Sequence, residues 1–276
     1  QIDPALYDGF WYQGNAPLGR MLAAVTFTNE LWFNSVRLFT NGPYWSLGYE
    51  FWYYMLFAAA VYAKDRRRAF LLIGISALVG PKILLLLPVW LLGVWVHRVN
   101  SGPALSLRLG AVLFVVPVAL YTTFRYSGMR DTLLHWSYAQ FGRSFIEGDL
   151  KWSNEFLAAY FIGLLVACNF IGFHAISGKV APLLARFEKP IRDWAGCTFS
   201  IYLFHYPLLQ FFKAVLPLDA QSPVSVAILL TLTILACRLL GSVTETRKDF
   251  ARRLVARCAD FLFKPVTPPR KTPTEP

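Results

Sequence analysis

The sequence predicts an all-α fold, a polytopic bundle of about eight transmembrane helices followed by an amphipathic interfacial helix. Three observations carry this prediction. Apolar residues make up 56% of the 276 residues and charged residues only 16%, whereas a soluble domain is about 25% charged. Aromatic residues reach 16%, which is typical of membrane proteins that place aromatic rings at the membrane–water boundaries. Long apolar stretches alternate with short basic turns, which excludes a soluble domain of this length.

A membrane-spanning helix needs about 20 mostly apolar residues. Two of the candidate stretches are short and are separated by Gly80-Pro81-Lys82. Two tilted spans, a broken hairpin and one kinked helix are all compatible with that pattern. The eight predicted spans are Leu18–Val36, Tyr44–Ala63, Ala69–Gly80, Ile83–Val96, Ala104–Thr122, Glu155–Ile176, Trp194–Leu216 and Val224–Gly241.

The charge pattern favours two spans over 69–96. With that count, the four basic regions between and after the spans fall on one side of the membrane, which is cytoplasmic by the positive-inside rule. The net charge of +11, from 27 basic and 16 acidic residues, is then explained by topology and anionic lipid rather than by nucleic acid. We expect a multi-pass protein of a bacterial inner or plasma membrane with a cytoplasmic C-terminus.

Three regions are predicted along the chain. Residues 1–243 form the transmembrane domain, 244–263 the interfacial helix, and 264–276 a disordered Pro- and Thr-rich tail. In 244–263, apolar residues such as Phe250 and Leu254 recur at helical spacing, with basic residues between them. This pattern is typical of a helix on an anionic lipid surface, although a solvated extension would also accommodate it.

An acidic residue lies near the start of the second predicted span. Asn41-Gly42-Pro43 interrupts the chain, and Glu50 then lies about 9 Å inside the helix. Ser46 and Tyr53 share its face through i+4 and i+3 spacings. A carboxylate at this depth is costly unless it faces protein, water or a ligand. Glu50 therefore either fixes packing through neighbouring hydroxyls or belongs to a functional site.

A histidine lies halfway through the seventh predicted span. At about 15 Å from Ala195 along the helix, His205 is near the bilayer midplane. Pro207 lacks an N–H group and predicts a kink just beyond the histidine, and Tyr202 lies one turn before it. This setting is compatible with a hydrogen-bonded core histidine and with a role in proton transfer or ligand binding.

Two strings of residues carry a resemblance to a known family. Trp45-Ser46-Leu47, with Glu50 and Tyr53 after it, resembles the Trp-Ser-Leu-x-x-Glu motif of the membrane-bound acyltransferase-3 family. Ser200-Ile201-Tyr202-Leu203, followed by His205 and a proline, resembles that family's late-helix motif, in the expected order. The chain departs from the family at Leu86 and Val89, where the family often has an arginine and an acid.

The resemblance implies an integral-membrane O-acyltransferase that moves an acyl group, which we take to be acetyl, from acyl-CoA to a sugar hydroxyl of a cell-surface or exported glycan. It places the catalytic base on a histidine of a first helix, which this sequence does not contain. We therefore expect the sequence to be a fragment lacking its N-terminal helices and inactive alone. The predicted site residues are Glu50 and His205 as catalytic, Trp45, Ser46, Tyr53 and Tyr202 as substrate-binding, and Arg66, Arg67 and Arg68 as binding the coenzyme A phosphates.

The expected partners follow from the same resemblance. Acyl-CoA is a donor substrate rather than a permanent cofactor, and the acceptor is a glycan or a lipid-linked sugar, with a polysaccharide-synthesis complex as a further candidate partner. The four cysteines show no metal-ligand spacing, so we expect no metal. The alternative function is a transporter or flippase for a polar solute or lipid-linked sugar, with Glu50 and His205 on its path. A packing subunit, in which neither residue matters beyond stability, is the third alternative.

Overall fold

The computed structural model describes residues 12–216, 218, 219, 221–245 and 253, and it contains no β-strand among them. The all-α prediction is confirmed. The predicted interfacial helix and tail lie outside the described residues, apart from 244, 245 and 253. The helices are α1 (Pro17–Val25), α2 (Trp45–Tyr62), α3 (Asp65–Val79), α4 (Pro81–Asn100), α5 (Leu107–Tyr126), α6 (Met129–Phe141), a π-helix (Ser144–Asp149), a 3-10 helix (Lys151–Ser153), α7 (Phe156–Ala185), α8 (Glu188–Ala195), α9 (Thr198–Val215) and α10 (Pro223–Glu245).

The chain divides into two compact units, one formed by residues 3–190 and the other mainly by residues 191–276. Four described helices are long and apolar enough to cross a membrane, namely α4, α5, α7 and α10 as far as Thr244. Three of these lie in the first unit and α10 lies in the second. The chain is therefore a multi-pass membrane protein, and the described residues do not show the predicted total of eight spans.

The predicted span over Leu18–Val36 is wrong, because helix α1 ends at Val25 after nine residues. Polar side chains explain the early end, since short hydroxyl and amide groups bond to nearby backbone and compete with the helix. Thr26 Oγ1, for example, donates to the carbonyl oxygen of Leu22 at 2.7 Å. The chain then runs without a helix through residues 26–44, a segment that we call the strap.

Helices α3 and α4 are separate, so residues 65–100 do not form one kinked helix. The buried Val79 and Ile83 pack against Tyr49 and Tyr53 of α2, while the ring of Trp90 lies 5.6 Å from Phe57 further along α2. Helix α4 therefore runs in the same direction as α2, and α3, joined to α2 by a short turn, runs back between their ends.

Gly80 makes the reversal between α3 and α4 possible. Its φ of 80° is a conformation that L side chains rarely adopt, and an added Cβ would lie 2.8 Å from the Cα of Trp32 in the strap. The strap crosses the turn here, and the backbone N–H of Trp32 donates to the carbonyl oxygen of Val79 at 2.9 Å. Pro81, which needs no hydrogen-bond acceptor, then begins α4.

The segment 124–154, which joins the predicted spans Ala104–Thr122 and Glu155–Ile176, is mostly helical. Its core is α6, followed by the π-helix and the 3-10 helix. Ile146 and Leu150, both buried, pack with Phe156 at the start of α7. The sequence stretch looks polar because the ion pairs Arg130–Glu155 and Arg143–Glu147 lie on its exposed side, and this hides the buried apolar positions.

Candidate functional site

A cavity of about 280 Å³ lies between α2, α4 and α7 in the first unit. Four of the predicted site residues, Trp45, Ser46, Glu50 and Tyr53, line it on the α2 side. Their common position follows from helical periodicity, because residues four and three apart share one face. The remaining lining residues are Tyr49, Leu86, Val89, Trp90 and Ala159.

Glu50 is the one carboxylate among these nine lining residues. The Tyr54 hydroxyl, one turn further along α2, donates to its Oε1 at 2.8 Å. Among the described residues, Oε2 of Glu50 has no hydrogen-bond partner. Glu50 is half-buried, so its side chain is accessible at the cavity that it lines.

The wall opposite Glu50 is apolar. Leu86 and Val89 on α4 and Ala159 on α7 contribute to it, so the two positions where the chain departs from the resemblance both line the cavity. With one acid and mostly aromatic and aliphatic surfaces, the cavity suits a neutral ligand that has both an apolar face and a polar edge.

The tyrosine hydroxyls of the α2 wall point into protein rather than into the cavity. The Tyr53 hydroxyl donates to the carbonyl oxygen of Ile83 at 2.8 Å, and the Tyr49 hydroxyl lies 2.9 Å from Ser153 Oγ. Both tyrosines are buried. Tyr53, a predicted substrate-binding residue, therefore presents its ring to the cavity while its hydroxyl fastens α2 to α4.

Trp45 forms part of an aromatic stack at the cavity wall. Its ring lies parallel to that of Trp152, with centroids 5.4 Å apart and an interplanar angle of 5°, and meets Tyr49 edge-on at 5.0 Å. The Arg37 guanidinium lies over Trp152, 5.8 Å from its ring centroid. Trp152 belongs to the segment between two predicted spans, and sequence reasoning did not identify it.

Next to this stack is a buried ion pair, which sequence reasoning also missed. Lys82 Nζ lies 2.6 Å from Glu30 Oε2, and the two side chains are 0% and 1% exposed. Lys82 Nζ also donates to the backbone oxygen of Asn34 in the strap, and Ser35 Oγ donates to Glu30 Oε1 at 3.0 Å. A signal was present, because Glu30 is an acid inside a predicted span, as Glu50 is.

The three arginines predicted to bind coenzyme A lie away from the cavity. Arg66, Arg67 and Arg68 are exposed on the first turn of α3, and none of them lines the cavity. Glu50 and Tyr62, the last residue of α2, are about 18 Å apart along the helix axis. The arginines therefore follow the opposite end of α2 from Ser46, and their role stays a prediction.

His205 lies on α9 in the second unit. Its Nδ1 is 3.0 Å from the carbonyl oxygen of Ile201 and 2.8 Å from that of Tyr202. Carbonyl oxygens only accept, so Nδ1 carries the hydrogen, and Nε2 of a neutral ring is left to accept a proton. Tyr202 is exposed, with its ring centroid 6.4 Å from that of His205.

A comparison with models of protein families identifies the family of the chain. The acyltransferase-3 family model, described as an acyltransferase domain, matches residues 4–241. No curated protein and no solved structure matches the chain. The matched range includes both sequence motifs, the cavity and helix α9.

Proposed function

Because the chain belongs to the acyltransferase-3 family, we propose that it is an integral-membrane O-acyltransferase that moves an acyl group, acetyl in the simplest case, from acyl-CoA to a sugar hydroxyl of a cell-surface or exported glycan. The observation that carries this proposal is the cavity lined by Trp45, Ser46, Glu50 and Tyr53. These are the residues of the motif that resembles the family, and they meet in one ligand-sized space.

Acyl transfer of this kind removes the proton of the sugar hydroxyl while its oxygen attacks the thioester carbonyl carbon. The carbon–sulfur bond then breaks, and coenzyme A leaves as the thiol after taking up a proton. The reaction needs a base for the hydroxyl proton and donors for the oxyanion that forms. In this proposal the Glu50 carboxylate accepts a hydrogen bond from the sugar hydroxyl or from the protonated base. Ser46, Tyr202 and His205 are candidate hydrogen-bond donors and substrate contacts.

The two substrates approach from different ends of α2 in this proposal. Arg66, Arg67 and Arg68 attract the phosphates of acyl-CoA through charge-assisted hydrogen bonds, on the side that we propose to be cytoplasmic together with the C-terminus. The acceptor, a glycan or a lipid-linked sugar, enters the cavity at the other end of the helix. The lone carboxylate of the cavity repels the coenzyme A phosphates, which supports this assignment.

The test is transfer of labelled acetyl from acetyl-CoA by the full-length protein in membranes that contain the glycan, with label counted in extracted glycan and lipid-linked sugar. Glu50→Gln should lower the transfer rate by about a hundredfold or more, as loss of a group in acid–base chemistry does. Glu147→Gln, an exposed glutamate outside the cavity, is the matched control and should transfer at the native rate.

The same variants separate the enzyme from the transporter or flippase. If Glu50→Gln leaves acetyl transfer intact and abolishes movement of a solute or lipid-linked sugar, the enzyme proposal is wrong. If neither process changes while the protein stays folded, Glu50 serves packing alone.

A further inference from the structure

We propose that Trp194 and Arg238 form a binding site for the phosphodiester group of a membrane phospholipid, and that helix α8 lies beside this site in the membrane–water boundary. The residues that carry the proposal all belong to the second unit, and none of them lines the cavity. Lipid binding at this site is therefore separate from acyl transfer, and the two can be tested separately.

The start of α9 packs against the end of α10. Ser200 Oγ lies 3.4 Å from Thr244 Oγ1, and a Cβ added to Gly241 would lie 3.3 Å from the Cβ of Cys197, the residue before α9. Helix α10 is long and apolar enough to cross a membrane as far as Thr244, so this end of α10 reaches a membrane–water boundary. Because only two residues separate α8 from α9, α8 ends at the same boundary.

Arg238 is a charged residue inside the α10 span. It precedes Thr244 by about 9 Å along the helix axis. Its side chain is half-buried, and its guanidinium has no hydrogen-bond or ion-pair partner among the residues that the structure describes. Because a charge inside a membrane is costly, a long arginine side chain extends its guanidinium towards the boundary. Arg238 therefore needs an anionic partner there, and phospholipid headgroups supply phosphate at that depth.

Trp194 of α8 holds the Arg238 guanidinium at this boundary. The guanidinium carbon lies 4.7 Å from the centroid of the Trp194 ring, and a cation over an aromatic face is attracted to it. A guanidinium stacked in this way keeps the N–H groups at its edge available, and a phosphate accepts two parallel hydrogen bonds from that edge. Tryptophan is itself enriched at membrane–water boundaries. The pair therefore offers a flat cationic surface to a phosphodiester group.

Helix α8 has an apolar face that no part of the described chain covers. Ile191 and Trp194 share that face and are 48% and 41% exposed. Asp193, two positions after Ile191, lies about 200° around the helix, and all eight residues of α8 are exposed. Charges opposite an exposed apolar face are typical of a helix that lies in a membrane interface. The contact of Trp194 with a residue of the α10 span indicates that lipid covers this face.

The first experiment tests which face of α8 meets lipid. Full-length protein carries the photo-crosslinker p-benzoylphenylalanine in place of Ile191 or of Asp193, in phosphatidylcholine vesicles that contain labelled phosphatidylglycerol. Illumination should attach several times more labelled lipid at position 191 than at position 193. Asp193 is the matched control, because it lies on the same helix and is equally open to solvent in the protein alone. Equal labelling at the two positions would overturn the interfacial placement of α8.

The second experiment tests the phosphate contact. The protein with the crosslinker at position 191 is placed in a mild detergent with labelled phosphatidylglycerol below saturation. Arg238→Gln should lower the labelling about fivefold, as expected for the loss of one arginine at a lipid headgroup. Trp194→Leu keeps the charge but removes the ring, and it should lower the labelling by about twofold to fivefold. Labelled diacylglycerol, which lacks the phosphate, should react weakly and equally with native protein and Arg238→Gln.

Arg125→Gln is the matched control, because Arg125 is an exposed arginine in the last turn of the α5 span. It should leave the labelling at position 191 unchanged, and an equal loss in Arg125→Gln and Arg238→Gln would overturn the site by showing a general charge effect. Arg238→Lys, which retains the charge in the span but not the planar fork, should fold and still lose part of the labelling. Native labelling in both Arg238 variants would overturn the proposal.

Coenzyme A is the other source of phosphate that this site could meet. An excess of coenzyme A should leave the labelling of native protein by phosphatidylglycerol unchanged. If coenzyme A abolishes the labelling, the site takes the phosphates of the soluble donor, and the lipid proposal is overturned. If native protein shows no acetyl transfer, the proposed function fails, and the crosslinking still decides whether Trp194 and Arg238 bind lipid.

Discussion

Two regions of the first unit hold their helices together mainly by different means. Around the cavity, the strap, α2 and the 3-10 helix are each joined to α4 through buried polar groups, namely the Glu30–Lys82 pair and the hydroxyls of Tyr53 and Ser153 bonded to backbone oxygens. Between α5 and α7 the contact is mainly close backbone packing, supplemented by a hydrogen bond from Asn169 Nδ2 to the carbonyl oxygen of Phe114 at 2.6 Å. A Cβ added to Gly172 would lie 2.4 Å from the backbone nitrogen of Phe114, and one added to Gly110 would lie 2.6 Å from the Cβ of Ala175.

The difference reflects what each region has to do. Small residues let membrane helices approach closely, and this packing needs no charge. Helices packed this closely leave no space for a ligand between them. Polar groups hold helices at defined positions further apart, at the cost of burying charge, and the cavity lies where this kind of junction separates α2 from α4. Helix α7 takes part in both regions, since Ala159 lines the cavity and Gly172 contacts α5.

The largest expected effect comes from breaking the polar junction on one side only. Lys82→Met leaves the Glu30 carboxylate buried without its counter-ion and should lower the free energy of unfolding by about 3–5 kcal/mol. Denaturant unfolding in detergent, followed by circular dichroism, measures this loss. Glu30→Gln with Lys82→Met is the control and should recover most of it. Equal losses in the two variants would mean that the charge of Glu30 is not the cause.

The stability of the contact between α5 and α7 at Gly110 and Gly172 should depend on the size of a substituted side chain rather than on its charge. Gly172→Leu inserts a side chain where the α5 backbone already stands, and the free energy of unfolding should fall by about 1–3 kcal/mol. Gly178→Leu, on the same helix with nothing within 4 Å of its added Cβ, should be neutral in the same unfolding measurement. A neutral Gly172→Leu would show that the two helices move apart easily.

A third variant tests whether the cavity side of α7 affects binding rather than stability. Ala159→Phe fills part of the 280 Å³ space, so the acceptor KM should rise about tenfold with unfolding unchanged. Ala181→Phe, at an exposed position of the same helix, should leave both quantities at native values. If Ala159→Phe transfers acetyl with a native KM, the acceptor binds elsewhere.

The smallest effect is expected for an exposed polar contact, the counterpart of the buried pair. The Tyr138 hydroxyl donates to Glu147 Oε1 at 2.7 Å, and this bond, with Arg143 at 3.1 Å, lowers the pKa of the Glu147 carboxyl from 4.5. A lowered pKa adds stability above pH 4.5, which is lost as pH falls through the folded-state value.

Glu147→Gln should therefore lower the Tm slightly at pH 7, because exposed pairs contribute little. The difference from native protein should shrink as the pH falls below 4.5. Melting curves across that pH range measure it. A difference that grows in acid would show that the hydrogen bond does not favour the charged carboxylate.

The sequence predicted some of these features and missed others for identifiable reasons. Glu50, Ser46 and Tyr53 were grouped correctly because they lie on one helix, where spacing determines the shared face. Glu30 was hidden inside an apolar stretch that was interpreted as a span, and Lys82 was interpreted as part of a turn. Their contact joins positions 52 residues apart, and no local period reports such a pair.

The sequence by itself determined that this chain is an all-α membrane protein with an acid on the motif-bearing face of α2, because composition and helical periodicity are local properties. Only the tertiary structure decided that the strap leaves the helix at Thr26, that Glu30 meets Lys82, and that Trp152 stacks on Trp45 at the cavity. Each of these results depends on which distant groups satisfy a buried charge or hydrogen bond, and that choice is made only when the helices pack.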